Sequence, residues 1–460
     1  MIVRNSVLVL SSVVLAVALA CSTSLDVSSD ASEWVGTIAA EGGVTTVVNQ
    51  SGAMWPANAR LIEEASIGVE SGANEYLLGH IQAVYGTDDH IYVIDQQLNL
   101  VRRYDENGVF ADQIGRIGQG PGEYTEPGMI EVARDGRIFV WDPRARRVAV
   151  FGPDGTPLAT WPATGAFCCV YPMYFEPGHG ETDGAGTSDT DAGGGEIASG
   201  EADTAQTGGA LWMLTYSFDR ETLEEIFGLQ AFGPEGRFGP IHRRRDLEVA
   251  SERLSAGGRS IAMPFAPGLS SNTAGAERFL AGVPDTYRFE VQYRGETVLV
   301  VEKYWEPVPI DPEHAEWQRR ATIANVRRRD PGWTWDGAGM PGHHPAYETL
   351  LGTATGEVWV LRNAPSVRVE DCVEDPLADD GAWESTPASG RLCWRNVYIV
   401  DVFDAEGRFL GEVETPPGFS WSAYSLRGLA RHIDGDRVVV AVEDETGVIR
   451  VKRYRLVLPG

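Results

Sequence analysis

Through most of its length the chain alternates apolar and polar residues in short runs, broken by Gly, Pro, Asn or Asp. A period of two is that of half-buried strands, whose side chains point to opposite faces in turn, and the breaks are turn chemistry. The clearest stretch, IYVIDQQLNLVRRYDENGVF from Ile91, returns without a gap as IFVWDPRARRVAVFGPDGTP from Ile138, at an offset of 47. Ile91 matches Ile138, Val93 matches Val140, Asp95 matches Asp142, Val101 matches Val148, Tyr104 matches Phe151 and Gly108 matches Gly155. Each copy predicts a strand, a turn, a second alternating strand and a hairpin of the Asn-Gly or Asp-Gly kind.

A period in the forties built of strands and turns is the signature of propeller blades. One four-stranded unit cannot bury both faces alone, whereas blades stacked radially bury one another. Strand-like segments continue to the end of the chain and group into six such units. Blade four, the most divergent, is read from RSIAMPF, AERFLAGV, YRFEVQY and TVLVVEKY. Blade six, read from LRGLARH, DRVVVAV and GVIRVKRYRLV, runs out one strand short. An isolated alternating segment from Gly42 to Asn49 is available to complete it, which predicts that Thr46 and Val451 lie side by side. The expected fold is therefore all-β, a six-bladed β-propeller over residues 34–460, with an N-terminal strand closing the last blade. Closure is favoured because an open ring exposes two long strand edges.

Three interruptions stand out. Residues 178–209 are rich in Gly, Thr, Ala and Asp and contain no Lys or Arg. Such a tract cannot bury enough apolar surface to offset its ordering entropy, so it is expected to be disordered. Residues 311–329 predict one inserted helix, with Asp311 as N-cap and Pro312 in its first turn. Residues 363–396 form a polar loop that a Cys372–Cys393 disulfide would clip. Cys168 and Cys169 are adjacent, and neighbours in sequence pair only with strain.

The N-terminus supplies an address. Arg4 precedes an apolar run of 14 residues from Val7 to Ala20, too short to span a bilayer and right for a secretory leader. The small residues before Cys21 resemble a bacterial lipobox, so residues 1–21 read as a lipoprotein signal with Cys21 the lipidated residue, and 22–33 as a flexible tether. Export to a cell envelope, outer-membrane or periplasm-facing, with membrane attachment by the lipid alone, would also permit the disulfide. With 66 acidic against 38 basic residues the formal charge is −28, which argues against nucleic acid as a partner.

The segment GRIGQGPGEY, from Gly115 to Tyr124, follows the last strand of blade one. With the blade pattern and the later GEVWV and VFDAEGR segments, it resembles the NHL-like six-bladed propellers of exported bacterial lipoproteins, which carry a GxGPGEF-type loop. Here Tyr124 stands for the usual Phe. Gly118, Gly120 and Gly122 are expected to permit positive backbone angles in a tight loop. The resemblance implies a fold and no particular reaction.

The sequence lacks HExxH, GxxxxGK, GxSxG and CxxC, so the common zinc-protease, P-loop and hydrolase signals are absent. His80, His343 or His344, and His432 are expected near innermost strands. If they converged they could hold zinc or calcium, making a metal-dependent lyase or hydrolase on the axis the alternative reading. The main reading is a non-catalytic binding or assembly module for a peptide, glycan or partner protein. Its expected ligand-binding residues at the channel mouth are His80, Glu123, Tyr124, His344, Tyr347 and Tyr424. A surface spacer without a small ligand is a third possibility.

Overall fold

The repeat read at Ile91 and Ile138 becomes two four-stranded antiparallel sheets in the computed structural model. The structure describes residues 33–163, 173–177, 209–218, 225–249, 253–256, 258–335, 339–370, 372, 374–377, 392–416, 419, 421, 430–444 and 447–459. Blade one comprises Ile81–Gly86, His90–Asp95, Leu100–Asp105 and Phe110–Gln113, and blade two Met129–Val132, Ile138–Asp142, Arg147–Phe151 and Pro157–Pro162. The offset is preserved for a physical reason. Asp95 and Asp142, both fully buried, fold back onto the backbone of the following turn, Asp95 accepting from Gln97 N and Asp142 from Ala145 N. Asp95 also accepts from Gly79 N and Asp142 from the Thr125 hydroxyl, fastening the chain segment that enters each blade. Gly108 and Gly155 turn the hairpins with positive φ of 82° and 80°.

Blade three comprises Met173–Pro177, Gly209–Phe218, Glu225–Phe232 and His242–Arg243, and blade five Tyr347–Gly352, Val358–Arg368, Trp394–Phe403 and Phe409–Glu414. Blade four differs from expectation. Its innermost strand is the polar Ser270–Thr273, followed by Arg278–Gly282, Arg288–Tyr293 and Glu296–Lys303. The apolar RSIAMPF segment instead supplies Arg259–Ala262, which among the described residues pairs only with Arg253–Ala256, in a separate hairpin. Leu254 of that hairpin and the following Met263 cluster with Ile323 and Trp333, which accounts for the segment's apolar character away from the ring.

The fold is a six-bladed β-propeller, and the strand that closes it is not the expected one. Blade six contains Arg431–Asp434, Arg437–Glu443 and Ile449–Val457, and its fourth strand is Ala59–Ile67, antiparallel to the last with Ile67 opposite Val451. The segment read as the closing strand, seen as Val44–Ser51, runs parallel to Glu296–Lys303, with Thr46 opposite Val300. Together with Val35–Glu41 it extends blade four to six strands. Burial explains the choice: Ala59, Leu61, Ala65 and Ile67 present an apolar face, whereas in Val44–Ser51 only Val47 and Asn49 are buried. Polar contacts add register to the closing pair, Glu63 meeting Lys452 at 2.9 Å and Glu64 meeting Arg453 at 3.1 Å. Ala59 and Arg60 also bridge to Val413 and Glu414, so one strand joins blades five and six. Asn49 latches the outer layer: its Nδ2 donates to Glu302 O and Gly407 O, and its Oδ1 accepts from Phe409 N.

Apolar clusters fill the spaces between blades around the ring. Ile67, Val93 and Val451 pack between blades six and one, Phe139, Trp141 and Met173 among one to three, Trp212 and Phe279 between three and four, Phe289 and Phe403 between four and five, and Trp359 and Val440 between five and six. The inserted helix α1, Pro312–Arg327, starts as expected, with Asp311 accepting from Glu313 N at 2.7 Å. Its Trp317 packs on the Cys372–Cys393 disulfide, which is formed. The strands flanking that bridge reach further into the loop than expected, to Arg368 and back from Trp394. Residues 1–32, Cys21 among them, residues 178–208, the Cys168–Cys169 pair and Tyr424 lie outside the described residues.

Two stability measurements follow. Ile67→Ala should cost about 2–5 kcal/mol in chemical denaturation, as expected for a buried core deletion, while Thr46→Ala should stay within about 0.5 kcal/mol. The reverse order would place closure back at residues 44–51. Cys372→Ser should cost about 3 kcal/mol, the loop-closure value for a separation of 21 residues.

Candidate functional site

Ring closure draws the six innermost strands around one axis, where a cavity of about 90 Å³ remains. Every blade contributes a side chain to it: Tyr85, Glu131, Tyr174, Asn272, Leu351 and His432, in blade order. Arg431 also lines it, and Ala354 forms an exposed part of its rim. On these strands both sheet faces meet neighbouring blades, so polar side chains within them are buried beside the axis.

Glu131 is only 9% exposed, with Oε1 accepting from Phe175 N at 3.2 Å and its carboxyl hydrogen-bonded to Tyr85. Burial pushes its pKa up to about 8, so the group is a neutral acid at pH 7. The Tyr85 hydroxyl donates to Val132 O at 3.2 Å, and its ring stacks on His432 with centroids 3.8 Å apart. His432 Nδ1 accepts from Gly86 N at 3.2 Å, so its proton sits on Nε2. Burial drives the pKa of this imidazole down to about 4. Tyr174 bonds to Thr273, and burial raises its hydroxyl to about 12. Arg431 Nη1 donates to Trp421 O at 3.1 Å, while its buried Nε has no partner among the described residues. Burial lowers its pKa to about 10. Among the described residues neither Glu131 nor Arg431 has an ion-pair partner, and they are not paired with each other.

The described residues among those expected at the channel mouth occupy other places. His80 is exposed ahead of blade one's inner strand. Tyr124 is fully buried between blades one and two, its hydroxyl donating to Ile114 O and accepting from Val101 N. Glu123 folds back on its own loop, accepting from Gly120 N at 2.7 Å and pairing with Arg116 at 2.8 Å, and the Gly120 amide together with Arg116 holds its pKa below the usual carboxylate range. In that loop Gly118 and Gly122 have positive φ and Gly120 does not. His344 is buried against Phe265 and His314, beside helix α1. Tyr347 is fully buried, its hydroxyl donating to Arg288 O across to blade four. His80, His344 and His432 therefore do not converge. Among the described residues, the one close grouping of three metal-type donors is Cys372, Glu374 and Cys393, whose sulfurs are engaged in the disulfide.

The residues that do line the axis carried little sequence signal. Glu131 stands alone as a charge in the apolar MIEV strand, and Arg431 precedes His432 at the start of another. A lone charge inside an apolar strand was the available clue.

The buried acid and imidazole pull stability in opposite directions with pH. Unfolded, Glu131 titrates near 4.5, so its contribution is whole below that value and is lost as pH rises through about 8. Glu131→Gln should flatten the alkaline limb and make the variant the more stable protein at pH 8–9. His432 acts at the acid limb, its contribution present above the unfolded value of 6.5 and lost as pH falls through about 4. Urea midpoints across pH 4–9 check both.

A family model described as a 6-bladed beta-propeller matches residues 72–174. Similar solved structures include a Bacteroides fragilis protein described as exported, with 11% identity over 90% of this chain and 100% of that one, at a TM-score of 0.39. A protein from Bacteroides vulgatus has 11% identity over 87% and 99% of the two chains, also at 0.39. Virginiamycin B lyase from Staphylococcus aureus has 8% identity over 82% and 95%, at 0.35. No curated protein matches the sequence. The family model and the six blades agree on a six-bladed β-propeller, and the likeness extends to fold alone.

Proposed function

We propose that this protein is an exported, lipid-anchored binding module that engages a peptide, glycan or protein partner at the axis of its propeller without transforming it. The observation that carries this reading is the axial cavity, lined from all six blades, with Arg431 Nε on it buried and without a partner among the described residues. A buried donor without a partner costs about 1–3 kcal/mol, a cost that an incoming ligand can relieve. Export is supported by the leader-like residues 1–21, by the lipobox-like approach to Cys21, and by the Cys372–Cys393 disulfide, which needs an oxidising compartment. The alternative, a metal-dependent lyase or hydrolase, calls for imidazoles or carboxylates gathered about one point. The separate settings of His80, His344 and His432 favour binding over it.

Ala354→Trp tests the site, because a large ring at the exposed rim narrows the entrance without entering the core. Peptides and oligosaccharides should be screened by thermal shift against both proteins. The expected outcome is at least one compound that raises the melting temperature of the parent and fails to raise that of the variant, with the unliganded proteins melting alike. A ligand that stabilises both equally, or a panel with no hit at all, would remove the axial cavity as the recognition site.

A further inference from the structure

The axial cavity is lined by two ionisable groups of opposite type, the buried Glu131 and the half-buried Arg431, each without an ion-pair partner among the described residues. Arg431 stands at the start of blade six's inner strand with its Nε unsatisfied, and Glu131 lies in the inner strand of blade two. Blade one's strand runs between them, and its Tyr85 reaches both sides, bonding to Glu131 and stacking on His432. Two such groups kept apart in one cavity are complementary to a ligand that carries both charges.

We propose that the cavity binds a small zwitterion, an amino acid or a very short peptide, with Arg431 taking its carboxylate and Glu131 its ammonium. The inference rests on the binding-module reading and names the ligand class for the same site. The guanidinium offers the forked donors that a carboxylate fits. At the other end, the hydroxyl of Tyr85 donates to Val132 O, so once the Glu131 carboxyl gives up its proton the Tyr85 oxygen can accept from an ammonium beside the carboxylate.

Rival ligands fit less well. A simple anion would satisfy Arg431 and leave Glu131 idle, and it would have to enter a protein of formal charge −28. A simple cation would pair with Glu131 and leave Arg431 alone. Size sets a further limit, since about 90 Å³ corresponds to on the order of six to nine water positions, room for a small molecule or for the end of a chain whose body stays outside.

The charge balance gives the inference a signature. Unliganded at neutral pH, Glu131 holds its proton. The titratable groups around it are Tyr85, Tyr174 and Asp434, with the neutral His432 stacked on Tyr85. As the ammonium arrives, the carboxyl proton passes to solvent and a carboxylate–ammonium pair remains. Binding of a net-neutral ligand therefore releases close to one proton.

Isothermal titration calorimetry of the purified protein at pH 7, in two buffers of different ionisation enthalpy, tests this with glycine, β-alanine and glycylglycine against acetate and methylammonium. At least one zwitterion should bind, with release of about one proton, and each half-ligand should bind at least about tenfold more weakly. Whether glycine or glycylglycine binds more tightly separates a free amino acid from a peptide as the source. Arg431→Met and Glu131→Gln should each weaken zwitterion binding at least about tenfold, and Glu131→Gln should also abolish proton release. The wild-type comparison of whole and half ligands stands even where a variant folds poorly. Half-ligands binding as well as zwitterions, or zwitterion affinity unchanged in both variants, would overturn the proposal. If a peptide or glycan passes the Ala354→Trp test while no zwitterion binds, the ligand class is wrong and the binding-module reading survives.

Discussion

Everything in this molecule depends on the pairing of Ala59–Ile67 with Ile449–Val457. A propeller blade is stable only between two neighbours, so the ring must close or leave edges and apolar faces in water. One strand closes it by joining blade six along its length and touching blade five at Val413 and Glu414. The apolar side chains of that strand and the Glu63 and Glu64 ion pairs fix the register together. Burial provides the attraction, and charge complementarity selects the alignment.

Closure also creates the axis and dictates its chemistry. Six strands arranged around a line cannot all fill the centre, so a small cavity remains, walled by strands whose faces are already committed to interblade packing. Polar groups placed there lose water. Glu131 responds by keeping its proton and His432 by refusing one, while Tyr85 links them through a hydrogen bond and a ring stack. Arg431 keeps its charge and gives one hydrogen bond to Trp421 O. The axis is thus a place where ionisable side chains are held largely away from water and Arg431 Nε is left without a partner among the described residues, a condition found at recognition sites.

Outside the ring, the chain adds layers that do not reach the axis. The Val35–Ser51 hairpin widens blade four, with Asn49 as its polar latch to blade five. Helix α1 and the Cys372–Cys393 bridge pack on each other through Trp317, and His344 sits between that layer and Phe265. The GPGEY loop has a comparable structural role between blades one and two. Its tyrosine fills an interblade space, and Arg147 donates to Gln119 O and Glu123 O to hold the loop's shape.

The blade period, the hairpins at Gly108 and Gly155, the helix opened by Asp311 and Pro312, and the cysteine pair were legible in the residues, because each rests on local geometry or on spacing along the chain. Ser270–Thr273 was missed as an inner strand because its residues are polar, and an apolar hairpin nearby took its place in the reading. Which N-terminal segment closes the ring could not be read either, since Val44–Ser51 and Ala59–Ile67 both alternate and only competition for the free edge of Ile449–Val457 separates them. The axial group was least visible of all. Tyr85, Glu131, Tyr174, Arg431 and His432 are scattered over four blades and follow no spacing rule, and only closure of the ring brings them to one cavity. Periodicity along a chain encodes which elements form, whereas a site assembled across blades exists only once long-range pairing has set the blades around a common centre.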